Sequence, residues 1–234
     1  MATELTGDYE DIVLDILRTN YYMATLLDVN LNSVSNKIDL VSNSTALVVT
    51  GNKLTNPNAI TFTCPQGSIV YFLKLYKGGS TAYETTHYMI LPIDGSAGDA
   101  FTFTTAGNFT FQANDLNIEV SHLLTPNIQK TSNFEEDVMF NFKPYLDRAV
   151  ILDVSDTIIS DVATISLTSN GSGILYNASN IVFNCDNGDT TYWLRVYQNG
   201  YEATRNMKLV LEPRDTFVGD GTFTIYAEGI SIEI

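Results

Sequence analysis

The fold is decided by the stretch Asn58-Ala-Ile-Thr-Phe-Thr-Cys-Pro-Gln-Gly67, which returns 121 residues later as Ser179-Asn-Ile-Val-Phe-Asn-Cys-Asp-Asn-Gly188. In both versions Ile, Phe and Cys occupy every second position. This period of two is typical of a β-strand with one buried face. The glycine that closes each stretch lies in a turn signal, so the stretch predicts a strand followed by a tight turn.

The similarity extends over both halves of the chain and indicates an internal duplication. Its spacing falls from 126 residues at Glu10-Asp11/Glu136-Asp137 to 114 residues at Phe109-Thr110/Phe223-Thr224, so the first copy carries insertions. Chance similarity is the alternative, but a gapless block with Cys, Gly, Pro and Asp in register is hard to obtain from composition. The identical pairs at the central spacing include Ile60/Ile181, Phe62/Phe183, Cys64/Cys185, Gly67/Gly188, Tyr71/Tyr192, Leu73/Leu194, Tyr76/Tyr197, Gly79/Gly200, Pro92/Pro213 and Asp94/Asp215.

The duplication predicts two domains, residues 1–120 and 134–234, with a linker at 121–133. The linker segment is polar and contains Pro126. Each copy contains about seven short β-branched and aromatic segments between Gly, Asn, Asp and Pro clusters, which is typical of an immunoglobulin-like sandwich. The predicted fold class is therefore all-β, with two tandem immunoglobulin-like β-sandwich domains.

The segment Asp8–Leu17 can be interpreted in two ways. Its acidic start and apolar stripe resemble the first turns of a helix. Its counterpart, Glu136–Phe142, places Val138, Phe140 and Phe142 in alternation, as a strand does. Because the two segments are related by the duplication, we predict strands for both.

Composition and charge exclude several functions. The 234 residues include 12 Lys and Arg against 27 Asp and Glu, a formal net charge of −15. Sequence-independent nucleic-acid binding needs a basic surface, and so does docking on anionic lipid. The acidic start does not resemble a secretory signal, and no apolar run is long enough to span a membrane. We therefore expect synthesis and folding in a cytoplasm, with neither nucleic acid nor membrane as partner.

The residues that carry most enzyme chemistry are sparse. Cys64 and Cys185 occupy equivalent positions in separate domains, too far apart for a disulfide, and we expect both to be buried thiols. The two histidines, His87 and His122, fit no metal-ligand spacing, and the motifs of nucleotide-binding loops and nucleophile elbows are absent. We predict that the protein is not an enzyme and needs no cofactor. Four Asn-x-Ser/Thr sequons, at Asn43, Asn108, Asn170 and Asn177, are expected by chance in so Asn- and Thr-rich a chain.

A repeated acidic loop is a weak candidate for calcium. Asp94 and Asp99 recur at identical spacing as Asp215 and Asp220. Calcium takes several oxygen ligands, and such a loop supplies some of them. A turn in which each Asp bonds its own backbone is the favoured explanation of the pattern, so no metal is assigned.

A repeated aromatic–cation–aromatic row is the stronger candidate for binding. Phe72, Lys74 and Tyr76 alternate in the first copy, and they are matched in the second by Trp193, Arg195 and Tyr197. On a strand each set shares one face, where such residues stack on a sugar or anchor a protein interface. The alternative is the opposite parity, in which Trp193 is the buried core aromatic of an immunoglobulin-like domain.

Taken with the tandem sandwiches, the span from Asn180-Ile-Val-Phe183 to Gly221-Thr-Phe-Thr-Ile225 resembles the small β-sandwich modules of bacteriophage upper-baseplate and capsid-decorating proteins. The resemblance implies a virion structural protein that docks on a larger phage assembly, as an auxiliary capsid protein or a tail or baseplate adaptor. Its partners would be other virion proteins, met in multiple copies per particle. A carbohydrate-binding or adhesive surface module is the alternative function.

Overall fold

In the computed structural model, residues 3–41, 46–93, 101–123, 128–186, 188, 190–211, 216 and 221–233 are described. Among the described residues 40% lie in strands and 17% in helices, which confirms the all-β class. None of the described helices is long and apolar enough to cross a bilayer.

The helices and strands are short. The helices are α1 (Gly7–Asn20), α2 (Tyr83–Thr86), α3 (Val120–Leu123) and α4 (Ser132–Phe142), the last followed by a 3-10 turn at Lys143–Tyr145. The strands are β1 (Thr3–Leu5), β2 (Met23–Leu27), β3 (Ile38–Asp39), β4 (Val48–Val49), β5 (Leu54–Thr55), β6 (Ile60–Cys64), β7 (Ile69–Val70), β8 (Phe72–Tyr76), β9 (Tyr88–Pro92), β10 (Phe101–Thr102), β11 (Gly107–Phe111), β12 (Asn117–Ile118), β13 (Gln129–Lys130), β14 (Arg148–Leu152), β15 (Ala163–Thr164), β16 (Leu167–Ser169), β17 (Ile174–Asn177), β18 (Ile181–Cys185), β19 (Trp193–Tyr197), β20 (Asn206–Val210), β21 (Gly221–Ile225) and β22 (Ser231–Glu233).

The chain forms two compact units, and one of them is discontinuous in sequence. The N unit is Asp11–Val138, and the C unit combines Met1–Glu10 with Met139–Ile234. The segment 121–133, predicted as a linker, contains most of α3, all of β13 and the start of α4. The predicted boundaries at 120 and 134 stay a prediction.

Each unit contains one five-stranded antiparallel sheet. In the N unit the strand order is β13-β9-β8-β2-β3, and in the C unit it is β1-β20-β19-β14-β15. Smaller antiparallel sheets complete each unit. They are β6/β11, β7/β10 and β12-β5-β4 in the N unit, and β18/β21 and β16-β17-β22 in the C unit.

The predicted alternation on β6 and β18 is confirmed. Ile60, Phe62 and Cys64 are buried, and the threonines between them are exposed. On β18 the buried residues are Ile181, Phe183 and Cys185. The partner strands also match, because Phe62 pairs with Phe109 in one unit and Phe183 with Phe223 in the other.

The prediction of strands at 8–17 and 136–142 is wrong, because both segments are helical. In α4 Phe134, Val138 and Phe142 are buried at a spacing of four, whereas Phe140 is 66% exposed. A strand would have buried Phe140 together with its two neighbours at i−2 and i+2. In α1 Tyr9, Val13 and Leu17 form the equivalent buried stripe.

The spacing of 121 residues predicts that His87 and Lys208 occupy equivalent strand positions, and this prediction is wrong. In the N unit Tyr76 pairs with Tyr88, and in the C unit Tyr197 pairs with Asn206. The N unit has three more residues between these strands, at 77–87 against 198–205, and α2 lies in them. The residue of the N unit that matches Lys208 in the ladder is therefore Ile90.

Candidate functional surface

The predicted row on β8 and β19 is only partly accessible. Leu73 and Leu75, and Leu194 and Val196, point into the core, which gives the row the predicted parity. Phe72, Lys74, Trp193 and Arg195 are half-buried, but Tyr76 and Tyr197 are buried. The surface that remains in each unit is an aromatic residue followed by a cation.

In the N unit Lys74 is held against an aromatic ring. Its Nζ lies 4.1 Å from the centre of the Tyr88 ring, a cation–π contact. Burial lowers the pKa of Lys74, the Glu84 carboxylate opposes this, and Lys37 adds to the lowering. Burial, with a further contribution from Glu84, raises the pKa of Tyr76 to about 12, so its hydroxyl stays neutral. Glu84 itself pairs with Lys37.

In the C unit Trp193 lies between an apolar cluster and two ion pairs. The cluster consists of Val150, Leu152 and Tyr197. Lys208 Nζ lies 5.9 Å from the Trp193 ring centre and 2.5 Å from Asp156 Oδ2. Arg195 Nη1 lies 3.6 Å from Glu202 Oε1, and the buried Nε of Arg195 has no hydrogen-bond partner. The sequence did not predict Lys208, Asp156 or Glu202 beside this row, because they come from a neighbouring strand and from loops.

A second surface is repeated, at the loop after the first long strand of each unit. Asp28 Oδ1 accepts hydrogen bonds from the backbone N–H groups of Asn30 and Asn32, both at 2.8 Å. Asp153 Oδ1 accepts the equivalent bonds from Ser155 and Thr157, also at 2.8 Å. The Asn32 N–H is the main cause that lowers the pKa of Asp28. The same turn is thus built twice by an aspartate.

These loops present an apolar residue to solvent in each unit. Val29 is 59% exposed and Val154 is 68% exposed, each directly after the aspartate that orders its turn. Leu31 and Asp156, two residues further on, both adopt φ 64°. Aspartate adopts this left-handed conformation more readily than most residues, whereas the bulkier leucine rarely does. The sequence Leu27-Asp28-Val29 is repeated as Leu152-Asp153-Val154, but this repeat does not show that the valine faces water.

Of the other residues singled out in the sequence, the structure describes both cysteines and the ring of His87. Cys64 and Cys185 are buried thiols, and burial raises the pKa of Cys64, which keeps it protonated. His87 bonds Thr86 through Nδ1 at 2.8 Å and packs on Tyr83. His122 lies in α3, and its side chain is outside the described atoms, as are Asp94, Asp99, Asp215 and Asp220 altogether. Among the described residues no group of three His, Cys, Asp or Glu side chains is placed to hold a metal.

Both repeated surfaces contain the types of residue that proteins use to bind a ligand or a partner. An aromatic face with an adjacent cation and carboxylate stacks on a ligand and forms charge-assisted hydrogen bonds with it. An exposed valine on an ordered turn offers apolar contact at low entropic cost, because its backbone is already fixed. No protein-family model matches the chain, and no curated protein or solved structure matches it.

Proposed function

We propose that the protein is a non-enzymatic virion structural protein that docks on a larger phage assembly, as an auxiliary capsid protein or a tail or baseplate adaptor. The observation that carries this proposal is the repeated valine turn. Val29 and Val154 lie in equivalent turns of the two units, each ordered by an aspartate, and both face solvent.

A chain with two similar apolar contacts is suited to a partner that is itself repeated. Linking two contacts converts the second binding event into an intramolecular one, and avidity can exceed either affinity by 10²–10⁴. Virion shells and tails offer such repeats. The acidic chain, at −15, favours protein partners over nucleic acid or anionic lipid.

We also propose that the units descend from one duplicated immunoglobulin-like module. In support, Asn56 Nδ2 donates to Asn58 O and Gln112 O, and its Oδ1 accepts from Leu116 N. In the C unit Asn177 forms the three corresponding bonds, to Ser179, Tyr226 and Ile230. We call this set of three hydrogen bonds from one buried asparagine side chain the asparagine clamp. Two unrelated sequences would not be expected to share it.

The docking proposal predicts that the chain stays with intact particles of the phage that encodes it. Val29→Asp or Val154→Asp should each weaken retention during gradient purification, and the double variant should lose it by about 100-fold or more. Val41→Asp, at a residue that is 56% exposed in the N unit, is the matched control and should leave retention unchanged. A chain found only in the free lysate fraction overturns the proposal.

The carbohydrate-binding alternative is favoured by the surroundings of Trp193, where Lys208, Asp156 and Arg195 offer donors and acceptors beside a half-exposed ring. It predicts binding on a glycan array that is lost in Trp193→Ala, while the circular dichroism spectrum is retained. Tyr226→Ala, at an aromatic residue 71% exposed, should bind as the parent does. An array that gives no signal with the parent chain excludes this function.

A further inference from the structure

The large sheet of the C unit is completed by the first residues of the chain. β1 pairs antiparallel with β20, with Thr3 opposite Leu209, Glu4 opposite Lys208 and Leu5 opposite Met207. All other strands of this unit lie after residue 139. The edge of β20 is therefore covered by a segment that more than a hundred residues separate from it in sequence.

Two residues after β1 anchor this segment in the C unit. Thr6 N donates to Asn206 O at 3.1 Å, its Oγ1 donates to Thr204 O at 2.7 Å, and Asn206 N donates back to Thr6 Oγ1 at 3.2 Å. Tyr9 is buried and packs edge-on against Phe142, with 5.2 Å between ring centres. Its hydroxyl donates to the carbonyl of Tyr145.

In the N unit a different segment covers a sheet edge in the same way. β13 covers the edge of β9, and Thr131 follows it as Thr6 follows β1. Thr131 N donates to Tyr88 O at 3.2 Å, and its Oγ1 donates to Thr86 O at 2.8 Å. Phe134, three residues on, packs against Tyr21 as Tyr9 packs against Phe142. In both units a short strand, a threonine and the first turn of a helix therefore cover a sheet edge in the same way.

We propose that the element Thr3–Glu10 is exchanged between copies of this chain, so that β1 of one copy completes the C unit of another. A second copy carries the same strand, Thr6 and Tyr9, and offers the same edge of β20, so no new contact is needed. Exchange of an identical element is a low-cost route to linked copies. Without the element, β20 would present an open edge. This proposal does not depend on the docking function.

Concentration decides between closure within a chain and exchange between chains. A tethered segment meets its own site at an effective concentration on the millimolar scale. Closed single chains should therefore predominate in dilute solution, and exchange should grow as the protein concentration approaches that range.

The exchange is tested by cross-linking the register pair Glu4 and Lys208. Directly opposed Cα atoms of an antiparallel pair lie about 4.5–5.5 Å apart, within the range that a disulfide bridges. E4C and K208C are placed in separate full-length chains, which are mixed from about 1 µM to about 1 mM and then oxidised. We expect a mixed disulfide of twice the chain mass that rises from a trace to a major species across this range.

Two further samples serve as controls. The double variant E4C/K208C should close within one chain at low concentration, which confirms the β1–β20 register. E4C mixed with V154C, whose new thiol is exposed in a loop, reports random collision. The proposal is overturned if the mixture of E4C chains with K208C chains gives no more mixed disulfide than this control at about 1 mM. It is equally overturned if the double variant forms no disulfide between positions 4 and 208, either within or between chains.

Discussion

Asn177→Ala is expected to lower the free energy of unfolding of the C unit by about 3 kcal/mol. The side chain is 1% exposed and forms three hydrogen bonds. Nδ2 donates to Ser179 O at 3.0 Å and to Tyr226 O at 2.7 Å, and Oδ1 accepts from Ile230 N at 2.8 Å. Alanine would leave two carbonyls and one N–H without these partners. Urea denaturation followed by fluorescence of Trp193, the one tryptophan, reports on this unit.

Two variants define what this result means. Asn56→Ala removes the matching clamp of the N unit and should cost a similar free energy, read by circular dichroism. Asn199→Ala changes an exposed asparagine in a turn and should stay within about 0.5 kcal/mol of the parent. If Asn177→Ala is as stable as Asn199→Ala, the clamp does not hold the unit together.

The strands of the core were predictable, because burial on one face of a strand leaves a period of two in the sequence. β6 and β18 show it without interruption. The helices were mispredicted for a physical reason: in Val138-Met-Phe-Asn-Phe142 both periods fit the apolar residues. The exposure of Phe140 and the burial of Met139, which a strand would place on the face opposite Val138, separate the two interpretations.

The tertiary contacts that form the candidate surfaces could not be predicted from the sequence. Asn177 is one of four sequons in the sequence, and nothing local marks it as a buried clamp. Lys208 meets Asp156 across 52 residues, and the register that brings it beside Trp193 depends on the length of a loop. The aromatic–cation pairs were found because they alternate on one strand, but the burial of Tyr76 and Tyr197 arises from tertiary packing.

Tyr9→Ala is expected to lower the free energy of unfolding of the C unit by about 4 kcal/mol, the cost of removing a large buried aromatic side chain. Tyr9 is 0% exposed and packs on Phe142, and its hydroxyl donates to Tyr145 O. Burial, reinforced by Asp147, raises the pKa of this hydroxyl, so it remains a neutral donor. The loss is measured by urea denaturation with Trp193 fluorescence, and hydrogen exchange of the β20 amides should rise with it.

The conservative variant separates packing from the hydrogen bond. Tyr9→Phe keeps the ring against Phe142 and should cost only about 1 kcal/mol, because one carbonyl loses its donor. Tyr226→Ala removes an aromatic residue that is 71% exposed and should change stability by less than about 0.5 kcal/mol. The loss of stability and the faster hydrogen exchange of the β20 amides should occur together in Tyr9→Ala. Tyr9 joins the first ten residues to the rest of the C unit. A stable variant whose β20 amides remain protected would mean that β1 holds its place without this anchor.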